Sequence, residues 1–188
     1  PQGWLKDGSV LISDGKILEV TNSDLAVIGA KVVDAKGMYI VPGFVAMNVH
    51  GGGGHDFKEC TEEAFHSAIA AHMKHGARTL FPTLSSSPKE LICKAVSICE
   101  KLMAEKDGPV LGLHVEGPYL NTKMAGNLYD VKDPDEEEYR SILESTNCIK
   151  RWDASPELPG AHDFARYLRS KDILAAITHT EAEFEDIK

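Results

Sequence analysis

Glu116 closes the apolar run Val110-Leu-Gly-Leu-His-Val-Glu116. A carboxylate at the end of a buried strand needs a cation or several hydrogen-bond donors to offset its desolvation. His179 ends a second apolar run, Ile173–His179, and His50 a third, Phe44–His50, with Asn48 two residues before it. Two imidazoles and a carboxylate form a donor set suited to zinc or iron, with positions left open for water and substrate. Taken singly, a histidine at a strand end is more often a hydrogen-bonded structural residue than a ligand. His114 shares the face of Glu116 by strand alternation and can pack beneath it or hydrogen-bond to it. His66, His72, His75 and His162 fall on predicted helices and read as surface or packing residues.

The run Gly51–Gly54 admits two readings. Bare backbone N–H groups can wrap an anion, or the loop is kept free of side chains so that a bulky group can approach. His55-Asp56-Phe57 follows, and a loop-fixing Asp beside a buried Phe is favoured there over a metal pair.

These residues need a frame. Residues 1–41 read as a small β-module: Ser9–Ser13 and Lys16–Val20 flank an Asp14-Gly15 hairpin signal, and Val32-Val33 and Met38–Val41 follow as further strand pieces. Residues 42–188 alternate strand with helix. The predicted strands are 44–50, 77–84, 110–116, 148–154 and 173–179; the predicted helices are 61–75, 88–105, one opened by Asp133-Pro134, and 161–170. Phe65, Ala68, Ile69, His72 and Met73 keep the spacing of one buried helical stripe. Ser87 reads as an N-cap with Pro88 at the first helical position. Glu181–Lys188 reads as the opening turns of another helix. The order implies parallel βαβ units and the α/β class, a (β/α)8 TIM-like barrel of which about five units are present. No GxGxxG follows the first strand, which weakens a doubly wound open sheet. In a barrel, strands one, three and five contribute to a common layer, and sites lie at the C-terminal strand ends. His50, Glu116 and His179 would then face one point.

The 188 residues carry a net charge of −9, which argues against a nucleic-acid backbone as partner. An anionic small substrate stays compatible, because a pocket can be locally positive. No apolar run reaches membrane-span length and no signal pattern opens the chain. Cys60, Cys93, Cys99 and Cys148 show no CxxC spacing and read as reduced thiols of a cytoplasmic protein.

Val41-Pro-Gly-Phe-Val-Ala-Met-Asn-Val-His50-Gly-Gly-Gly-Gly-His-Asp-Phe57 resembles the PGFID-x-H-x-H-G-x-G-G-x-DF stretch of the N-acetylglucosamine-6-phosphate deacetylases, a family of the amidohydrolase superfamily. Phe81–Ser85 is similar to their second strand. Leu111-Gly-Leu-His-Val-Glu-Gly-Pro-Tyr-Leu-Asn121 resembles their GLHLEGP-[FWY]-LN signature, the most specific match. Ala154–Glu157 resembles their APE segment and Ile177–Ala182 their GHS-x-A segment. The resemblance implies a metal-dependent hydrolase, cytoplasmic and homodimeric, with a small β-sandwich beside the barrel. It would deacetylate the amino-sugar phosphate N-acetylglucosamine 6-phosphate to glucosamine 6-phosphate and acetate. It places Glu116 and His179 on a divalent metal, zinc first, with iron or another ion as alternatives. His50 is half of an HxH pair that here reads Asn48-Val-His50, and it marks a second, weaker metal position. Gly126 and Asn127 carry over as substrate-binding residues, although the family's loop histidine is missing from Lys123–Asn127. No catalytic residue is expected within the chain: the acid/base Asp and a third ligand His come later in the family. Rival readings are another amidohydrolase, such as a dihydroorotase-like or adenine-deaminase-like enzyme, and an inactive truncated fragment.

Overall fold

Asp14 and Gly15 both take left-handed backbone, at φ 49° and 72°, the conformation that matches a two-residue turn to the twist of its flanking strands. They join β1 (Ser9–Ser13) to β2 (Lys16–Thr21), which pair antiparallel with an irregularity at Leu11/Ile12. The computed structural model describes residues 3–187. Pro1, Gln2 and Lys188, which the sequence-read domains include, lie outside them. The chain divides into two compact units, Pro1–Pro42 and Gly43–Lys188. In the first, the strand pieces expected at 32–33 and 38–41 are not strands. No neighbour pairs with them among the described residues, and a strand without a partner leaves its backbone groups to solvent.

The second unit is a partial (β/α) barrel. β3 (Phe44–Val49) leads through a small hairpin, β4 (Gly51–Gly52) with β5 (His55–Asp56), to α1 (Glu62–Lys74). β6 (Ala77–Ser85), α2 (Lys89–Met103), β7 (Leu113–Glu116), α3 (Glu136–Leu143), β8 (Ile149–Ala154), α4 (Ala161–Ser170) and β9 (Leu174–Ile177) follow. Five strands lie side by side in the order β3-β6-β7-β8-β9, all parallel. Chain order equals spatial order, as in successive barrel units; the order reversal of a doubly wound sheet is missing.

Local chemistry accounts for the helix ends. Thr61 caps α1 by accepting from the Ala64 amide at 3.2 Å, and Phe65, Ala68 and Ile69 are buried as their spacing requires. The caps of α2 and α3 differ from the sequence reading. Pro88, not Ser87, is the N-cap of α2, because the Ser87 hydroxyl donates to the Ser85 carbonyl at 2.7 Å. Asp135 caps α3, accepting from the Glu138 amide at 3.0 Å. The terminal helix expected from Glu181 is a short 3-10 turn, Phe184–Asp186.

Between sheet and helices lies a core built around Leu80, Leu84, Ile92, Cys99, Leu113, Val115 and Trp152. Trp152 stacks on Tyr119 at 5.8 Å, and Phe164 meets both rings edge-on. Alternation therefore sends Leu113, Val115 and Trp152 to the helices, and His114, Glu116, Arg151 and Asp153 to the opposite face. Cys99 and Cys148 are buried, Cys93 is exposed, and all four thiols are free.

Candidate functional site

Glu116 is the last residue of β7, paired across the sheet with Ser85 on one side and Asp153 on the other. Gly117 follows at φ +91°, where a Cβ would meet Leu120 Cδ1 at 2.9 Å, so the chain turns away directly after the carboxylate. Glu116 is only 7% exposed. His50 stands one residue past β3 and His179 two residues past β9. The strand alternation expected to orient His179 thus stops short of it; its backbone is left-handed, at φ 46°.

The three side chains converge. Glu116 Oε1 lies 3.0 Å from His179 Nε2, and Glu116 Oε2 lies 3.0 Å from His50 Nε2. The contact with His50 lowers the Glu116 carboxyl below its ordinary range; burial opposes this and His179 reinforces it. The same contact raises His50 against the effect of its own burial. Although His50 is near, Glu116 Oε2 is buried without a hydrogen bond of acceptable direction. One oxygen of a buried carboxylate is therefore approached but not satisfied.

His179 is held at both ring nitrogens and through its backbone. Nδ1 lies 2.9 Å from the Met124 carbonyl oxygen. A carbonyl only accepts, so Nδ1 carries a proton and donates it. Nε2 then presents its lone pair to the Glu116 carboxylate, another pure acceptor, unless a second proton or a cation lies between them. The Ser155 hydroxyl, fully buried, shares its hydrogen between the carbonyls of His179 at 2.8 Å and Thr178 at 3.1 Å.

Among the described residues, no three or more His, Cys, Asp or Glu side chains are arranged as a ready-made metal cage. The fit is one of donor chemistry. An unsatisfied carboxylate oxygen, two imidazole nitrogens aimed at one carboxylate, and a carbonyl fixing the outer nitrogen of one imidazole suit a divalent cation with mixed N and O ligands. The outer partner of His179 could not be named from the sequence, because it is a backbone carbonyl in a distant loop.

Beneath this group runs a second polar chain. The Val49 amide donates to Thr83 Oγ1 at 2.9 Å, and Thr83 Oγ1 meets His114 Nδ1 at 3.0 Å. His114 Nε2 lies 3.0 Å from Asp153 Oδ1, outside good hydrogen-bond direction, and Arg151 grips Asp153 with two bonds of 2.7 Å. Burial would push the Asp153 carboxyl up, but the His114 and Arg151 contacts outweigh it and hold it low. His114 and Asp153 are completely buried. His114 therefore bonds sideways along the sheet to Thr83 and lies against Asp153, and is not turned upward to Glu116. Sequence reasoning missed Arg151 and Asp153, although their i, i+2 spacing within a predicted strand placed both on one face.

The remaining candidates are elsewhere. Gly126 and Asn127 are exposed on the loop that carries Met124; Gly126 sits at φ +63°, and a Cβ added there would meet no atom within 4 Å. They are not drawn to Glu116. Asn48 is exposed on β3. The glycine run is a hairpin in which a Cβ on Gly51 would strike the His55 carbonyl oxygen, so packing demands glycine there. Asp56 caps the turn that buries Phe57. His72 Nε2 meets the Gly51 carbonyl at 2.9 Å, and His162 Nε2 the Asp186 carbonyl at 2.9 Å, both structural contacts.

No family model matches the sequence. A curated N-acetylglucosamine-6-phosphate deacetylase from Lysinibacillus sphaericus is 26% identical over 184 residues, covering 95% of this chain and 47% of the relative. The crystal structure of N-acetyl-D-glucosamine-6-phosphate deacetylase from Mycobacterium smegmatis superimposes with a TM-score of 0.85 at 29% identity, over 95% of this chain and 47% of that one. A mutant of the same mycobacterial enzyme, solved in complex with N-acetyl-D-glucosamine-6-phosphate, gives 0.79 at 29% identity, with the same coverage. The chain is thus a relative of the N-acetylglucosamine-6-phosphate deacetylases over 95% of its own length, and it spans about half of theirs.

Proposed function

We propose that this chain is part of a metal-dependent hydrolase that converts N-acetylglucosamine 6-phosphate to glucosamine 6-phosphate and acetate. The observation that carries the reading is the meeting of Glu116 with His50 and His179 at the strand ends, within a sequence whose relatives bear that activity in their names. The crystal complex of the mycobacterial relative with N-acetyl-D-glucosamine-6-phosphate supports an amino-sugar phosphate as ligand.

Glu116 and His179 would hold the ion, with His50 as a weaker third donor. Zinc suits two imidazoles and one carboxylate best, and iron is the alternative. When bound, the ion supplies Lewis-acid polarisation of the acetamide carbonyl and activation of water. The protein's own residues do the positioning. Glu116, kept anionic by its histidine neighbours, offers charge without carrying a proton. His179 donates through Nδ1 to Met124, which leaves Nε2 as its ligand atom. Gly126 and Asn127, on the loop that bears Met124, would contact the sugar. Soluble, cytoplasmic, homodimeric catabolism of amino sugars is part of the same proposal. Among the described residues no helix is long and apolar enough to cross a membrane.

Acetate release from N-acetylglucosamine 6-phosphate by the full-length protein tests the reading. Acetate in step with free amine is expected. Ammonia without acetate from an alternative amide or amidine substrate would transfer the protein to another amidohydrolase class.

A further inference from the structure

Glu157 lies in the turn after β8, and its carboxylate collects three donors from two distant segments. Oε1 accepts from Asn121 Nδ2 at 2.7 Å and from the Glu181 amide at 2.9 Å. Oε2 accepts from the Thr180 hydroxyl at 2.6 Å. Each segment leads directly to His179. Thr180 and Glu181 follow it in the chain. Asn121 opens the turn whose last residue is Met124: its carbonyl accepts from the Met124 amide at 3.0 Å, and its Oδ1 from the Lys123 amide at 2.9 Å. Asn121 is anchored a second time through its own amide, which donates to Ser155 Oγ at 2.8 Å. That same Ser155 hydroxyl holds the His179 carbonyl.

The geometry points to Glu157 as the positioning residue for His179. With the more exposed Lys123–Glu181 ion pair at 3.1 Å and the Asn121–Glu181 contact at 3.3 Å beside it, Glu157 ties the 121–124 turn to the 180–181 segment, so that the Met124 carbonyl and the His179 ring meet in one fixed relation. This decides which ring nitrogen faces Glu116.

The arrangement needs such a tie. His179 is a non-glycine residue in left-handed backbone, a conformation that persists only where surrounding contacts over-determine it. Its outer hydrogen-bond partner belongs to a loop 55 residues away in the chain, and a loop carbonyl alone would not hold a fixed orientation. A carboxylate suits the task better than an amide, because all three of its partners are donors. Burial would push the Glu157 carboxyl up, but the bonds from Thr180, Asn121 and Glu181 outweigh it and bring it to about 2. It therefore remains an acceptor at every ordinary pH.

The consequence for metal affinity rests on the metal reading above; the consequence for the ring does not. In metal-free, full-length protein with ¹⁵N-labelled histidine, long-range ¹H–¹⁵N correlation spectra report which ring nitrogen of His179 is protonated, with His179→Gln supplying the assignment. Wild type is expected to show Nδ1 protonated. Glu157→Ala should give a mixture of ring states and weaken zinc binding by about 10- to 100-fold in chelator competition. Glu157→Gln, which keeps acceptor capacity at one oxygen, should recover a large part of both. If Glu157→Ala does not fold, Asn121→Ala, which cuts the loop from both Glu157 and Glu181 but spares the Thr180–Glu157 bond, should show the same ring signature. Folded variants whose Nδ1 signal and zinc affinity match wild type would overturn the assignment. Glu116→Gln separates the two claims: unchanged zinc binding there defeats the metal reading, while the ring spectra still decide the role of Glu157.

Discussion

Glu116 Oε1 and His179 Nε2 meet at 3.0 Å across 63 residues of chain. One group ends a strand, and the other lies beyond a strand in left-handed backbone. That meeting requires β7, β8 and β9 to stand side by side in order, and it requires the Met124 loop to reach over to the imidazole. The polar chain beneath depends on the same strand order.

Asp153→Ala is expected to destabilise the fold by about 3 kcal/mol, because it leaves the fully buried His114 and the partly buried Arg151 without their carboxylate. Denaturant unfolding of wild type and variant measures it. A loss below about 1 kcal/mol would mean that the pair is solvated or dispensable.

Glu157 gives stability a pH signature. Its folded pKa is depressed, to about 2. Its contribution is thus complete above the unfolded carboxyl value and is lost as pH falls through the folded one. The stability gap between wild type and Glu157→Gln should be constant above about pH 5 and shrink between about pH 4 and 2. A gap that stays level from neutrality to acid would show that the carboxylate charge is irrelevant.

Much of the fold is legible in the sequence, because it rests on local chemistry. The Phe65, Ala68, Ile69 stripe and the Asp14-Gly15 turn are written in adjacent residues, and both elements form as read. Glu116 stands out because a carboxylate closing an apolar strand demands partners. The rest depends on contacts between distant segments. The Met124 carbonyl has no side-chain signature. His114 takes partners from the strands on either side, which one strand's pattern cannot name. Asp153 takes its partners from Arg151 in its own strand and from His114 in the neighbouring one, and the second is not written in the strand's own pattern. The expected strands at 32–33 and 38–41 have suitable residues but no neighbour among the described residues.

His50→Ala should reduce metal content less than Glu116→Gln. The His50 side chain is 46% exposed against 9% for Glu116, and its contact with Oε2 lacks hydrogen-bond direction. Elemental analysis of both variants ranks them. Complete loss of metal in His50→Ala would place the main site around that residue.

A polypeptide limited to these 188 residues should lack deacetylase turnover and bind an apolar dye. β3 and β9 each have a single neighbour among the described strands, and Phe44, Val45, Leu174 and Ile177 are exposed along them. Such edges invite association. Sustained acetate release by a mass-verified 188-residue product would contradict this.

Metal stoichiometry of Glu116→Gln in the full-length protein tests the central claim most directly. Replacing the anionic ligand with a neutral amide should strip most of the metal that wild type retains after dialysis, at about one ion per firm site. Near-ultraviolet and far-ultraviolet circular dichroism should stay native, since the Thr83–His114–Asp153 chain beneath is untouched. Stoichiometry equal to wild type in a natively folded Glu116→Gln protein would remove Glu116 from the ligand set, and the proposed metal site with it.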